Sequence, residues 1–145
     1  DTTTANRHHP IESVIRFSFT LLGVLVVGTP IAIVMLYQSI SLVSTQFTHA
    51  NIKISPKTDK ILSYFIVSPS MHKIHHHYKL PYTDSNYGNI FSIWDRMLGT
   101  YLEMNPDKIV YGVDTFPDEE RNSSLKELLK QPFQGYKKPT RIEDL

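Results

Sequence analysis

Four of the chain's seven histidines fall within six positions, in the run His72-Lys73-Ile74-His75-His76-His77. On an α-helix, His72, His75 and His76 occupy positions i, i+3 and i+4, which share one face about one turn apart. His77 is turned about 100° away. Three converging imidazoles suit the binding of one metal ion or the bridging of two. A nitrogen-rich, oxygen-poor set favours iron, zinc or copper over magnesium or calcium. With no cysteine in the chain, thiolate ligands and disulfides are excluded, and any metal must be held by His, Asp and Glu. The competing reading is a solvated patch of surface histidines.

The elements that position these side chains are legible as start and stop signals. Ser68-Pro69 is an N-cap followed by proline at the first helical position, and predicts a helix over Met71 to Tyr78. Upstream, Phe17 to Tyr37 is a run without charge, long enough for a bilayer span. Gly28-Thr29-Pro30 interrupts it. It is either one kinked span over about 17–37, or a helical hairpin of about 11–27 and 30–48 turning at Gly28-Pro30. Each arm of the hairpin would be about 25 Å long. Burial inside a soluble protein is the alternative to a membrane for this run. Ser55-Pro56 predicts a short helix to Val67 whose Ile61, Leu62, Phe65 and Ile66 form one apolar stripe, lying on a membrane surface or facing a core.

Leu80 to Gly88 has loop composition, and Ile90 to Leu98 has helical spacing closed by Gly99. Asn105-Pro106-Asp107 is a turn between short strands expected at Tyr101–Glu103 and Ile109–Val113. Ser124 and Glu127 form a capping box opening a last helix to Lys130, followed by a polar, irregular tail from Pro132. The 145 residues carry a net charge of +1 with no basic stripe, so no nucleic-acid partner is expected. The chain opens at Asp1 without an initiator methionine or signal-peptide pattern, as expected of a segment of a longer protein. Asn122-Ser123-Ser124 is a glycosylation sequon by pattern, expected to be unused.

Several segments, in order, resemble the fatty acid hydroxylase / sterol desaturase superfamily of integral-membrane di-iron enzymes. They are "RHHPIE" at Arg7–Glu12, "FTHAN" at Phe47–Asn51, "SPSMHKIHH" at Ser68–His76, and "DSNYGNIFSIWDRMLGTY" at Asp84–Tyr101. "GVDTFPDEERNSSLKELLKQPF" is similar to the C-terminal end of a bacterial branch of that group. The likeness runs from about Thr4 to Phe133 and is specific for the superfamily rather than for a substrate.

The resemblance implies an all-α, integral-membrane fold: a transmembrane hairpin over about 11–48, a cytoplasmic metal-binding region over 49–133, at most a short C-terminal β-hairpin, and a tail over 134–145. It implies two iron ions, with ligands at His9, His49, His72, His75 and His76. For His9 the alternative role is hydrogen-bond donor to a ligand. Asp84, Asn86 and Tyr87 would orient ligands by hydrogen bonds or cap the next helix. Trp94 and Asp95 are expected to pack, with a salt bridge from Asp95 to an upstream arginine such as Arg7.

Two upstream histidine boxes of the superfamily are not in this sequence, so the full-length parent is the expected enzyme and this chain alone is expected to be inactive. Ligands of one cluster must lie on one side of the bilayer, which selects the hairpin over the single span. The implied activity is O2-dependent hydroxylation or desaturation of a lipid, sterol or fatty acyl, with electrons from cytochrome b5, ferredoxin or a reductase. The implied location is a bacterial inner membrane, or the endoplasmic reticulum membrane in a eukaryote, with the histidines cytoplasmic. The rival functions are a zinc-dependent membrane hydrolase, for which no H-E-x-x-H general base is present, and a non-catalytic membrane relative.

Overall fold

The computed structural model describes residues 2–3, 7–118 and 122–142. The start of the expected likeness at Thr4, the Glu119-Glu120-Arg121 part of the C-terminal motif and residues 143–145 of the tail lie outside the described residues. The architecture is all-α, with no β-sheet among the described residues and only isolated bridges.

Helix α1 spans Pro10–Val27 and α2 spans Ile31–Thr48. The single kinked span is therefore not formed. Gly28 takes φ 69°, a left-handed backbone that costs glycine little, and its N–H closes α1 on the Val24 carbonyl. Pro30 then opens α2. At 18 residues, each helix is about 27 Å long, close to the hydrocarbon thickness of a bilayer. Both are long and apolar enough to cross a membrane. No side chain of α1 is buried, and of α2 only Thr48 is. The chain thus buries neither helix in a core of its own, and apolar side chains are exposed all round them.

The remaining elements are short and surround a small apolar core of Val67, Met71 and Ile74. Helix α3, Pro56–Leu62, starts at Ser55, whose Oγ accepts the Thr58 N–H. It stops at Leu62 rather than at Val67 because the next residues turn to bond another segment. Val67 N–H donates to Ile90 O, Ser92 N–H to Phe65 O, and Ile66 bridges Phe91. Helix α4, Pro69–His75, starts at Ser68 as expected, with Ser68 Oγ accepting the Met71 N–H. It ends before Tyr78 because His77 bridges Tyr111 and Tyr78 N–H bonds Val110 O.

Helix α5, Ile93–Leu98, closes on Gly99 at φ 73°. No strand forms at Tyr101–Glu103, where Leu102 N–H is taken by the Asn86 side chain, and Ile109–Val113 contributes only the Tyr111 bridge. Helix α6, Leu125–Lys130, begins after Ser124, but that side chain makes no capping bond. Glu127 instead accepts from Lys130 and Gln134. Beyond a final turn at Gln131–Phe133 the chain is irregular and returns to Leu80, which exchanges backbone bonds with Thr140 and Ile142.

Candidate metal centre

Two helix ends meet at the histidines. His49 is the residue that ends α2, and α4 supplies His72 from its second turn and His76 from its terminus. Their Nε2 atoms form a triangle: 3.2 Å from His49 to His72, 3.3 Å from His49 to His76 and 3.1 Å from His72 to His76. Nitrogens each about 2.1 Å from a common ion are about 3.0 Å apart at right angles and about 3.4 Å apart at tetrahedral angles. The triangle has the dimensions of one face of a metal's coordination shell, and these three residues form a group able to hold an ion.

The protonation of the cluster suits that role. His49 Nδ1 donates to Thr45 O at 2.9 Å, which leaves Nε2 as the bare nitrogen. Burial, then the neighbouring imidazoles of His76, His49 and His75, lower the His72 pKa to about 3. Burial, then His75 and His49, lower that of His76 to about 4. Both rings are therefore neutral at physiological pH, and a metal would not have to displace protons from them. His72 Nδ1 is buried without a hydrogen-bond partner among the described residues.

His75 stands beside this triangle and not in it. Its ring centroid is 5.6 Å from His72 and 5.4 Å from His76, and its Nδ1 donates to Ser85 O at 2.8 Å. In the neutral ring, that bond leaves Nε2 as the nitrogen with a lone pair to offer. The Tyr87 ring meets His75 edge-on at 5.5 Å. Asp84 lies in the turn Tyr82–Asp84, and the Tyr87 phenol pKa is raised by desolvation and then by the Asp84 carboxylate. Asn86 is fully buried at φ 50°, donating Nδ2 to Met71 O and Leu102 O and accepting Leu102 N–H on Oδ1. It ties α4 to the segment after α5.

His9 is placed elsewhere. Its Nδ1 accepts the Ile11 N–H as the N-cap of α1, and its Nε2 donates to Leu129 O at 3.1 Å, so both ring nitrogens are already engaged. His8 pairs with Glu12 and Arg16. His77 is buried, accepts Val110 N–H on Nδ1 and has its pKa lowered by desolvation, then by Lys79.

The expected salt bridge from Arg7 to Asp95 is not formed, since Arg7 donates to Thr3. Asp95 is buried and its partners are uncharged. Oδ1 accepts Tyr87 N–H and Thr100 Oγ1 at 2.7 Å each, and Oδ2 accepts Gly88 N–H at 2.8 Å. It thereby fastens the loop that presents Ser85 O and Tyr87 to His75. The signal for this role was a carboxylate in the first turn of α5, the end of a helix where N–H groups lack acceptors. Thr45 and Ser85, which act through main-chain carbonyls, carried no such signal.

The fatty acid hydroxylase family model matches residues 1–100. Among curated proteins, alkylglycerol monooxygenase of Danio rerio is 43% identical over 53 residues, 36% of this chain and 11% of that protein. Alkylglycerol monooxygenase of Caenorhabditis elegans is 44% identical over 50 residues, 33% of this chain and 10% of that protein. The ornithine lipid hydroxylase OlsE of Rhizobium tropici is 26% identical over 96 residues, 66% of this chain and 28% of that protein. The chain thus spans a minor part of each relative's length. No solved structure matches it at a comparable level.

Proposed function

Because the chain belongs to the fatty acid hydroxylase family, we propose that it is the metal-binding and membrane-hairpin portion of an O2-dependent lipid hydroxylase. The observation that carries this is the Nε2 triangle of His49, His72 and His76, with all sides between 3.1 and 3.3 Å. His75, with Nδ1 tied to Ser85 O and Nε2 bare, would serve a second iron of a di-iron pair. His9, engaged at both nitrogens, supports a structural post at the start of α1 rather than ligation. When bound, iron would supply reductive activation of O2 for attack on an unactivated C–H bond.

The chain's own residues do the rest. Thr45 O and Ser85 O fix the tautomers of His49 and His75. Burial keeps His72 and His76 neutral. Asn86 and Asp95 hold α4 and the 84–88 loop in register. The two apolar helices would hold the site beside its lipid substrate. Arg16, in the second turn of α1, and Lys53, Lys57 and Lys60, beyond α2, lie toward the histidine end of the hairpin, whereas the Gly28-Pro30 turn carries no charge, which favours a cytoplasmic cluster. Electrons would come from a separate donor such as cytochrome b5, ferredoxin or a reductase. The relatives' names favour hydroxylation of a polar lipid over sterol desaturation.

The test is metal analysis and product analysis of the full-length protein. Iron in the purified enzyme and an O2-dependent hydroxylated lipid, both lost in His76→Ala, are expected. Stoichiometric zinc with a hydrolysed product would overturn the proposal. A desaturated product would keep the metal reading and replace the reaction.

A further inference from the structure

Outside the histidine site, the end of α3 and the whole of α5 share one surface that this chain leaves bare. Ile61, Tyr64, Phe65, Phe91, Trp94 and Leu98 are all exposed there, with Phe65 at 70%, Trp94 at 55% and Leu98 at 77%. They belong to one patch because the segments are bonded together. Ile66 bridges Phe91, Ser92 N–H donates to Phe65 O, and Arg96 Nη2 donates to Ser63 O while its guanidinium covers the Tyr64 ring. A contiguous apolar surface of this kind on a small domain marks a contact.

What covers it follows from where it is attached. Asn89, two residues before Phe91, donates Nδ2 to Ser41 Oγ at 2.6 Å and accepts Thr45 Oγ1 on Oδ1 at 2.9 Å. Ser41 and Thr45 lie seven and three residues before Thr48, the end of α2. At 1.5 Å per residue those positions are about 10 and about 5 Å back along the helix. The patch is therefore lashed to a membrane-length helix one to two turns inside its end. That is the depth, about 5–10 Å, at which interfacial helices settle between headgroups and acyl chains. Its composition agrees: Trp94 and Tyr64 are the aromatic types that collect at membrane interfaces. Lys57 and Lys60 are exposed on α3, with no ion pair among the described residues, placed for anionic headgroups.

We infer that the α3–α5 face is a second membrane contact, a monotopic surface that sinks into the lipid leaflet at the histidine end of the hairpin. It rests on the hairpin spanning the bilayer and not on the metal. The consequence is that the metal-binding region rests on the leaflet as well as hanging from α2.

Trp94 is the chain's single tryptophan, so its emission reports this surface without any substitution. The chain would be reconstituted into phosphatidylcholine vesicles containing phosphatidylglycerol, with bromine atoms on the acyl chains near the headgroup or near the bilayer centre. Trp94 is expected to lose roughly half of its emission to the shallow bromines, less to the deep ones, and to be shielded from aqueous iodide. Leu98→Asp, at an exposed helix end where folding is not at stake, is expected to abolish most of that quenching with the circular dichroism unchanged. Full iodide access without bromine quenching would overturn the inference. So would shielding from both quenchers, which would place a second copy or another protein segment on the patch. A fluorophore on Leu25→Cys, unique in a chain without cysteine, separates the premises. Lipid at position 25 with water at Trp94 sinks this inference alone, and water at both sinks the spanning hairpin with it.

Discussion

The two halves of this molecule are held together by different means. Between His49 and Leu102, buried polar side chains find partners across many residues: Asn86 bonds Met71 and Leu102, Asp95 bonds Tyr87, Gly88 and Thr100, and His75 bonds Ser85. Between Pro10 and Gln38, the hydroxyls of Ser18 and Thr20 fold back on the carbonyl four residues earlier, and the apolar side chains face outward. The first region is specified by hydrogen bonds that the chain makes to itself. The second is specified by its solvent, because in hydrocarbon a helix satisfies its own backbone and needs no core. The difference teaches that the site's geometry and its placement in the membrane are separable properties, and experiments can break one without the other.

The largest effect is expected at the triangle. In the full-length protein, His72→Ala should lower metal retention by at least about tenfold, read as metal per polypeptide, and abolish lipid oxidation. His8→Ala, whose partners among the described residues are Glu12 and Arg16, should keep both. His77 is unsuited as that control, being buried and bonded to Val110. If His8→Ala and His72→Ala behaved alike, the polar region would not be specified as described.

Asp95→Ala comes next. It leaves the Tyr87 and Gly88 N–H groups without their acceptor, a loss of about 2–4 kcal/mol for charge-assisted bonds. Hydrogen exchange should show both amides losing protection while α1 and α2 keep theirs. Equal loss across the hairpin would mean that the halves are coupled.

Gly88→Ala is expected to cost less, about 1–3 kcal/mol, because a Cβ there would stand 2.8 Å from both Asp95 Oδ2 and Phe91 O. The readout is the thermal midpoint of the chain in micelles, and an unchanged midpoint would show that the loop yields without strain.

Outside that ranking of substitutions stands the response of the metal-free chain to pH. His72 and His76 titrate in the fold at about 3 and about 4, against 6.5 when free. Between those limits the unfolded chain binds protons that the folded one refuses. Stability therefore falls as pH drops from about 6.5 toward 4, and is level above that window. Exchange rates of the α4 amides should follow that curve, and those of α1 should not.

Much of this was legible in one dimension. Ser55, Ser68, Gly28 and Gly99 mark their helix ends because capping is a local bond between near neighbours. The spacing of His72 and His76 set them one above the other, since four residues advance a helix by about 400°. The same spacing groups His75 with them, yet three residues advance it by about 300°, so it leans to the opposite side by about 60°. That offset, with the Ser85 carbonyl to receive its Nδ1–H, is why it stands apart. Asp95 was expected to seek an arginine because charges are visible in a sequence and backbone N–H groups are not. The two expected strands failed for a related reason: their backbone groups met single partners, the Asn86 side chain and His77, where a ladder needs a run of them. No spacing rule could have placed His49 against α4, a contact between residues 23 apart that only the folded hairpin supplies.

The position of His49 at the tip of α2 has a mechanical meaning. Two corners of the nitrogen triangle ride on α4, and the third rides on a rod that follows the bilayer. If α2 tilts or slides, the two sides that meet at His49 change length while the side from His72 to His76 does not. One corner of the triangle is thus held only by the seating of the α2 end against α4, and the spacing of the nitrogens is a readout of that seating.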